Sequence, residues 1–131
     1  MKATFDYSGR QVFVAGGTSG INLGIAKAFA AAGARVGVGS RSQAKVDAAV
    51  EELGGGARGY AFDVRDHAAV TAALAAFAGE ASAIDVVVSG AAGNFPALAT
   101  DISPNGFKAV VDIDLIGTFH VMKAAYPHIP I

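Results

Sequence analysis

VFVAGGTSGINLGIAKAFAAAG, residues Val12 to Gly33, is the stretch whose reading decides the fold. Val12, Phe13, Val14 and Ala15 form a short apolar run suited to a buried strand, which ends in a turn holding Gly16, Gly17 and Gly20. A helix is predicted beyond the turn. Leu23, Ala26, Lys27, Ala28 and Ala30 to Ala32 are strong helix formers, and Gly33 stands where a left-handed C-terminal residue belongs. Strand, glycine turn and helix in that order make a phosphate cradle. Without Cβ atoms the turn lets a ligand approach backbone, and the first-turn N–H groups and helix dipole face the anion. A nucleotide is the ligand such a turn suits; the other reading is a turn that is merely tight.

Outward from this unit the pattern repeats. Ala34 to Val38 reads as a second strand, and Gln43 to Leu53 as a helix closed by Gly54, Gly55 and Gly56. Arg58 to Phe62 reads as a third strand, Asp66 to Phe77 as a helix capped by Asp66, and Ile84 to Val88 as a fourth strand. Short strands alternating with helices give βαβ units and a parallel sheet. Right-handed crossovers then predict the strand order 3-2-1-4, with a ligand crevice between strands 1 and 4 where the winding reverses. The expected fold class is therefore α/β: a three-layer α/β/α, Rossmann-type doubly wound parallel sheet. Residues 1–131 read as one domain, and the open edge at Val86, Val87 and Val88 implies that they are the N-terminal part of a larger one.

After a loop from Gly90 to Ile102, Ser103 and Pro104 read as an N-cap and first helical residue. The helix should run from Phe107 to Ala125 and stop before Pro127. It is apolar almost all round, through Phe107, Val110, Val111, Ile113, Leu115, Ile116, Phe119, Val121 and Met122. Such a helix needs cover on more than one side, from the sheet and from another subunit, so a homo-oligomer through residues 107–125 is expected.

Composition narrows the classes. Of 131 residues, 53% are hydrophobic and 16% charged, which suits a packed core and argues against disorder. A formal net charge of −1 without a Lys/Arg cluster argues against nucleic acid as a partner, and no apolar run approaches the ~18 residues of a membrane span. There is no cysteine for a disulfide scaffold, and the opening MKATFDYSGR has no apolar signal region, so a cytoplasmic protein is expected.

Ala15-Gly16-Gly17-Thr18-Ser19-Gly20-Ile21-Asn22 resembles the TGGxxGIG turn of the short-chain dehydrogenase/reductase family. Ser89-Gly90-Ala91-Ala92-Gly93-Asn94-Phe95 is similar to the NNAAGNF loop of the 2,4-dienoyl-CoA reductases in that family, and Asp112-Ile113-Asp114 with Gly117-Thr118-Phe119 to their DIDxxGTF helix. The resemblance runs from about Gln11 to Ala125. It implies hydride transfer between NAD(P) and a small-molecule or acyl-CoA substrate, and a homotetramer.

The resemblance also implies site residues. Gly16, Thr18, Ser19, Gly20, Ile21 and Asn22 would lie along the cofactor, with Gly16, Gly20 and Asn22 at its pyrophosphate. Asn22 stands where the family has its third glycine. Asparagine tolerates a left-handed backbone, and its amide could donate to the pyrophosphate or serve as a helix cap. Ser40 replaces the Asp of NAD-type members and Arg41 follows it, which points to NADP(H) over NAD(H). A guanidinium bond to a 2′-phosphate is worth about 1.5–3 kcal/mol, and the other reading of Arg41 is a solvated residue at a helix start. Asp63 and Val64 match the pair that holds adenine, although an Asp in a turn also has a generic explanation. Ser89, Gly90 and Ala91 would pass beside the cofactor, departing from the family's two asparagines at Ser89-Gly90, with Asn94 and Phe95 toward substrate.

Asp114 is the candidate catalytic residue. On a regular helix it shares a stripe with Phe107, Val110, Thr118 and Val121, so its carboxylate should be shielded from water, its pKa raised, and its proton available for transfer. The dienoyl-CoA group has Asp here where most of the family has Asn; the other reading is an acid bonded to nearby backbone. Asp112 is assigned to an ion pair with Lys108 one turn before it. His67, His120 and His128 lack metal-ligand spacing and read as surface or interface residues. The family's catalytic serine and YxxxK pair are expected beyond this helix; Tyr126, followed by Pro127, has no lysine four residues on. Two functions follow: part of an NADPH-dependent reductase of unsaturated acyl-CoA, or a non-catalytic nucleotide-binding or assembly fragment.

Overall fold

The computed structural model describes residues 1–79 and 82–131. Four parallel strands, β1 (Gln11–Ala15), β2 (Arg35–Ser40), β3 (Arg58–Ala61) and β4 (Val86–Ser89), form one sheet in the order β3-β2-β1-β4. Between them run α1 (Gly20–Ala31), α2 (Gln43–Leu53) and α3 (His67–Ala78), so the expected α/β/α layering and strand order are both present. β1 lies between β2 and β4, with Val12 opposite both Val36 and Val86, and this explains why every one of its residues is buried.

Alternation along β1 sorts the core into two layers. Val12 and Val14 pack with Val36, Val38, Ala26 and Ala49 on the α1/α2 face. Phe13 and Ala15 pack with Phe62, Leu74, Phe77 and Ile84 on the α3 face. Full burial of each large apolar side chain contributes about 1.5–3 kcal/mol, which makes Phe13, Leu74, Phe77 and Ile84, all at 0% exposure, the centre of this layer. Gly37 and Gly39 of β2 give the aromatics their room, since a Cβ at Gly37 would stand 2.7 Å from the Phe77 ring and one at Gly39 2.1 Å from the Phe62 ring.

β2 extends past the expected end at Val38, because Gly39 and Ser40 pair with Tyr60 and Ala61 of β3. β4 starts later than expected. Ile84 donates its N–H to the carbonyl of His128, and Asp85 donates to that of Gln11, before the ladder proper begins. Side chains cap three of the helices as expected or by the same device: Ser42 Oγ accepts from Lys45 N–H, Asp66 Oδ1 from Ala69 N–H, and Ser103 Oγ from Gly106 N–H. Gly33, with φ of +94°, follows the last turn of α1 as predicted.

The last helix departs from a regular spiral. It consists of α4 (Pro104–Val110), a π turn over Val111–Ile116, and α5 (Gly117–Ala125), followed by a 3₁₀ turn at Tyr126–His128. Gly117 donates its N–H to Asp112, five residues back rather than four. Packing accounts for this site: Gly117 is buried where a Cβ would meet Val64 Cγ2 at 2.7 Å, and His120 Nδ1 lies 2.7 Å from the carbonyl oxygen of Val64. His120 is thus half-buried and bonded to backbone rather than free on the surface. Gly117, Val121, Ala124 and Ala125 of α5 are buried, whereas Phe107, Leu115, Phe119 and Met122 are exposed. The expected cover by the sheet is therefore present on one side only.

At the opposite end of the sheet from the glycine turn, buried Gln11 donates through Nε2 to the carbonyls of Ala83 (2.6 Å) and Ala78 (3.3 Å), while Asp85 accepts from Gln11 N–H and pairs with Arg10 at 3.1 Å. These contacts fasten strand beginnings and leave the strand ends to the site.

Candidate functional site

A crevice of about 790 Å³ opens at the C-terminal ends of the strands, where the winding reverses. Four loops line it. The first contributes Gly16, Thr18, Ser19, Gly20, Ile21 and Asn22, the second Ser40 and Arg41, the third Asp63 and Val64, and the fourth Gly90, Ala91 and Asn94. Ser89, Phe95 and Asp114, also singled out from the sequence, do not line it. Ser89 Oγ turns to Thr118 Oγ1 at 3.5 Å, and the Phe95 ring covers Gly106, where a Cβ would stand 3.0 Å from it.

The glycine turn is built for close approach. Gly16 has φ of +74°, and a Cβ on it would meet the backbone of Gly90 and Ala91 at 2.7–2.9 Å, so this glycine lets β1 and the loop after β4 touch. Gly20 has φ of +58° and open space where its Cβ would be. Helix α1 starts beside it with Ser19 at the N-cap, and among the described residues no side chain caps its first turn, in contrast to α2, α3 and α4. Its N–H groups are left to whatever occupies the crevice.

Asn22 is not left-handed. The positive φ falls at Gly20, so the chain is already helical two residues later, and Asn22 Nδ2 donates to the carbonyl oxygen of Gly90 at 2.8 Å. Its amide fastens two crevice walls together.

Beyond β2, Ser40 Oγ is buried without a hydrogen-bond partner among the described residues, next to the exposed Arg41. An unsatisfied buried hydroxyl at the edge of a crevice is a place for a ligand oxygen. Lys45, Ser42, Phe62 and Ile113 also line this crevice and were not singled out from the sequence. For Lys45 a signal existed: it stands four residues after Arg41, a second cation across the start of α2. For Phe62 and Ile113 apolar character pointed only to the core.

Asp63 is held by its neighbour. Arg65 donates to its two carboxylate oxygens through Nε (3.0 and 3.1 Å) and Nη2 (2.6 Å), and through its backbone N–H at 2.9 Å. The side-chain hydrogen bond from Arg65 is the main reason that the Asp63 carboxyl lies below the ordinary carboxylate range, and the charge of Arg41 adds to it.

The expected shielding of Asp114 is overturned. The residue is exposed, because the π turn breaks the regular stripe on which burial was predicted. Its Oδ1 accepts the backbone N–H of Gly93 at 2.8 Å, and Thr118 Oγ1 donates to its carbonyl at 2.6 Å. Asp112 pairs with Lys108 at 2.5 Å, as the sequence indicated. Among the described residues no three His, Cys, Asp or Glu side chains group as a metal site would require, and no helix is long and apolar enough to cross a membrane.

A doubly wound parallel sheet with an uncapped helix and a glycine turn at its switch point defines a nucleotide-binding domain of Rossmann type. The chain belongs to the short-chain dehydrogenase family, whose model, described as short chain dehydrogenase, matches residues 10–130. It is 39% identical over 124 residues to a peroxisomal 2,4-dienoyl-CoA reductase [(3E)-enoyl-CoA-producing] of Arabidopsis thaliana, a match covering 92% of this chain and 42% of that protein. The rat protein of the same name is 40% identical over 118 residues, covering 87% and 40% respectively. The chain thus spans about two fifths of the length of these relatives. Among solved structures, a short-chain type dehydrogenase/reductase from Mycobacterium marinum superposes with a TM-score of 0.88 at 29% identity, over 95% of this chain and 51% of that one. A 3-ketoacyl-(acyl-carrier-protein) reductase from Brucella melitensis complexed with NADH gives 0.86 at 28% identity, over 94% and 51%.

Proposed function

We propose that these residues form the cofactor-binding part of an NADPH-dependent reductase acting on an unsaturated acyl-CoA of the 2,4-dienoyl type. The observation that carries the reading is the crevice itself: an uncapped helix start and a Cβ-free turn on one wall, and an unpartnered Ser40 hydroxyl beside Arg41 on the other. The residues present fit a dinucleotide. Gly16, Thr18, Ser19, Gly20 and Ile21 would take the pyrophosphate through backbone, Ser40 and Arg41 the 2′-phosphate, Asp63 and Val64 the adenine, and Gly90 and Ala91 would lie along the nicotinamide half. NADPH, when bound, supplies a hydride for the substrate's unsaturated bond.

The protein side of the chemistry is orientation and proton handling. Asp114 is proposed to assist proton delivery next to a loop that it also positions through Gly93, with Asn94 and Phe95 toward the substrate. Support for the acyl-CoA class comes from the AAGNF and DID segments and from the names of the relatives. A homo-oligomer is proposed through the exposed apolar face of Phe107, Leu115, Phe119 and Met122. Fractionation separates a cytoplasmic location, which we propose, from the peroxisome named for those relatives.

The test is titration of the whole protein with NADPH and NADH, then assay with a 2,4-dienoyl-CoA and with simple ketones. Tighter binding of NADPH and turnover of the thioester are expected. Turnover of ketones alone would overturn the substrate class; failure to bind either nucleotide would favour an assembly fragment.

A further inference from the structure

Two of the departures from the family pattern, Asn22 in place of glycine and Gly90 in place of asparagine, are 68 residues apart in the chain and in contact in the fold. Asn22 Nδ2 donates to the Gly90 carbonyl at 2.8 Å, and a Cβ built on Gly90 would lie 2.4 Å from Asn22 Cγ, Nδ2 and Oδ1 alike. The space a side chain at position 90 would occupy is therefore filled from the other wall. Both residues line the crevice, and Gly90 N–H is itself held by the carbonyl of Ala15 at 3.0 Å, so the peptide groups on both sides of Gly90 are held.

We infer that Asn22 and Gly90 are a size-exchanged pair, and that Asn22 is a positioning residue that sets the separation between the glycine turn and the loop after β4. The inference rests on the nucleotide-site reading of the crevice, but the pair can be tested without it. Either residue enlarged or emptied alone leaves a clash or a gap. Exchanged together, the asparagine reaches the same space from the opposite wall.

The experiment is a double-mutant cycle on the whole protein with Asn22→Gly, Gly90→Asn and the N22G/G90N exchange. Nucleotide affinity is read by NADPH fluorescence, and hydrogen exchange of the Gly90 and Ala91 amides is read without nucleotide. Expected are a several-fold loss of affinity in N22G, a loss of about tenfold or more in G90N, and recovery to within about threefold of wild type in the exchange. Amide protection should follow the same order. An exchange whose loss equals the product of the single losses overturns the pairing. Coupling in protection with equal NADPH affinity in all four proteins overturns the positioning role. If wild type binds no nucleotide, the functional reading fails, and the pairing is decided by amide protection alone.

Discussion

Asp114 Oδ1 accepts the backbone N–H of Gly93 at 2.8 Å, joining the π turn of the last helix to the loop that follows β4. The bond lies outside the crevice lining but fixes a loop that enters it through Ala92 and Asn94. Asp114 is therefore tied to the site by position.

Asp114→Asn keeps an oxygen for Gly93, and Asp114→Ala removes it. The alanine variant should lose about 1 kcal/mol in urea unfolding, the ordinary worth of one such bond, and the asparagine variant less. If the carboxylate handles the proton, kcat in both variants should fall by about 10²–10⁴ with NADPH affinity kept in D114N. Unchanged kcat in D114N would restrict Asp114 to holding the loop.

Gly16 and Gly20 separate strain from space. Alanine in a left-handed conformation costs about 1–2 kcal/mol at either position. Only at Gly16 would the new Cβ also run into the Gly90–Ala91 backbone, at 2.7–2.9 Å. Gly16→Ala is thus expected to unfold at clearly lower urea than Gly20→Ala and to lose NADPH binding. Equal midpoints would contradict the close approach of the two loops.

Arg41 and Lys45 are both at the crevice, and only Arg41 directly follows the unpartnered Ser40 hydroxyl. Arg41→Ala should weaken NADPH by about ten- to a hundredfold and NADH by less than about threefold, since the bond lost is to the 2′-phosphate. Lys45→Ala should cost a few-fold at most, as expected of an exposed charge. An equal effect of R41A on the two nucleotides would return Arg41 to a solvated helix start.

The Asp63–Arg65 pair makes an acid-side contribution to stability. Arg65 depresses the folded-state pKa of Asp63, so the contribution is present above the unfolded value of about 3.9 and is lost as pH falls through the lower folded value. With side chains 30% and 46% exposed, its size is held small by solvent screening. The wild-type advantage over Asp63→Asn in Tm should therefore be small, steady above about pH 5, and gone near pH 2. An advantage that grew on acidification would reverse the sign of the interaction.

Much of this was legible in the chain because it depends on neighbours in sequence. The alternation of apolar runs with helix formers and capping residues Ser42, Asp66 and Ser103 gave the element order, and handedness gave 3-2-1-4. The GGTSG turn located the crevice. Element ends were less legible: the second apolar run ended at Val38, yet β3 pairs with Gly39 and Ser40 and carries the strand on.

The side-chain roles at the site were decided elsewhere. Asn22 looked like a left-handed substitute for glycine, but the turn is completed at Gly20, and the amide finds its acceptor on Gly90 across the crevice. Asp114 looked buried because a regular helix would put it on the stripe of Val110 and Val121. Packing of Gly117 against Val64 inserts the π turn and sets the carboxylate outside, against Gly93. By itself the sequence determined the α/β class, the strand order and the place of the crevice, because local periodicity, capping and chirality act within a few residues. Only the tertiary structure decided which groups meet at the crevice, because contacts such as Asn22 to Gly90 and Asp114 to Gly93 are created by close packing between segments that no local rule connects.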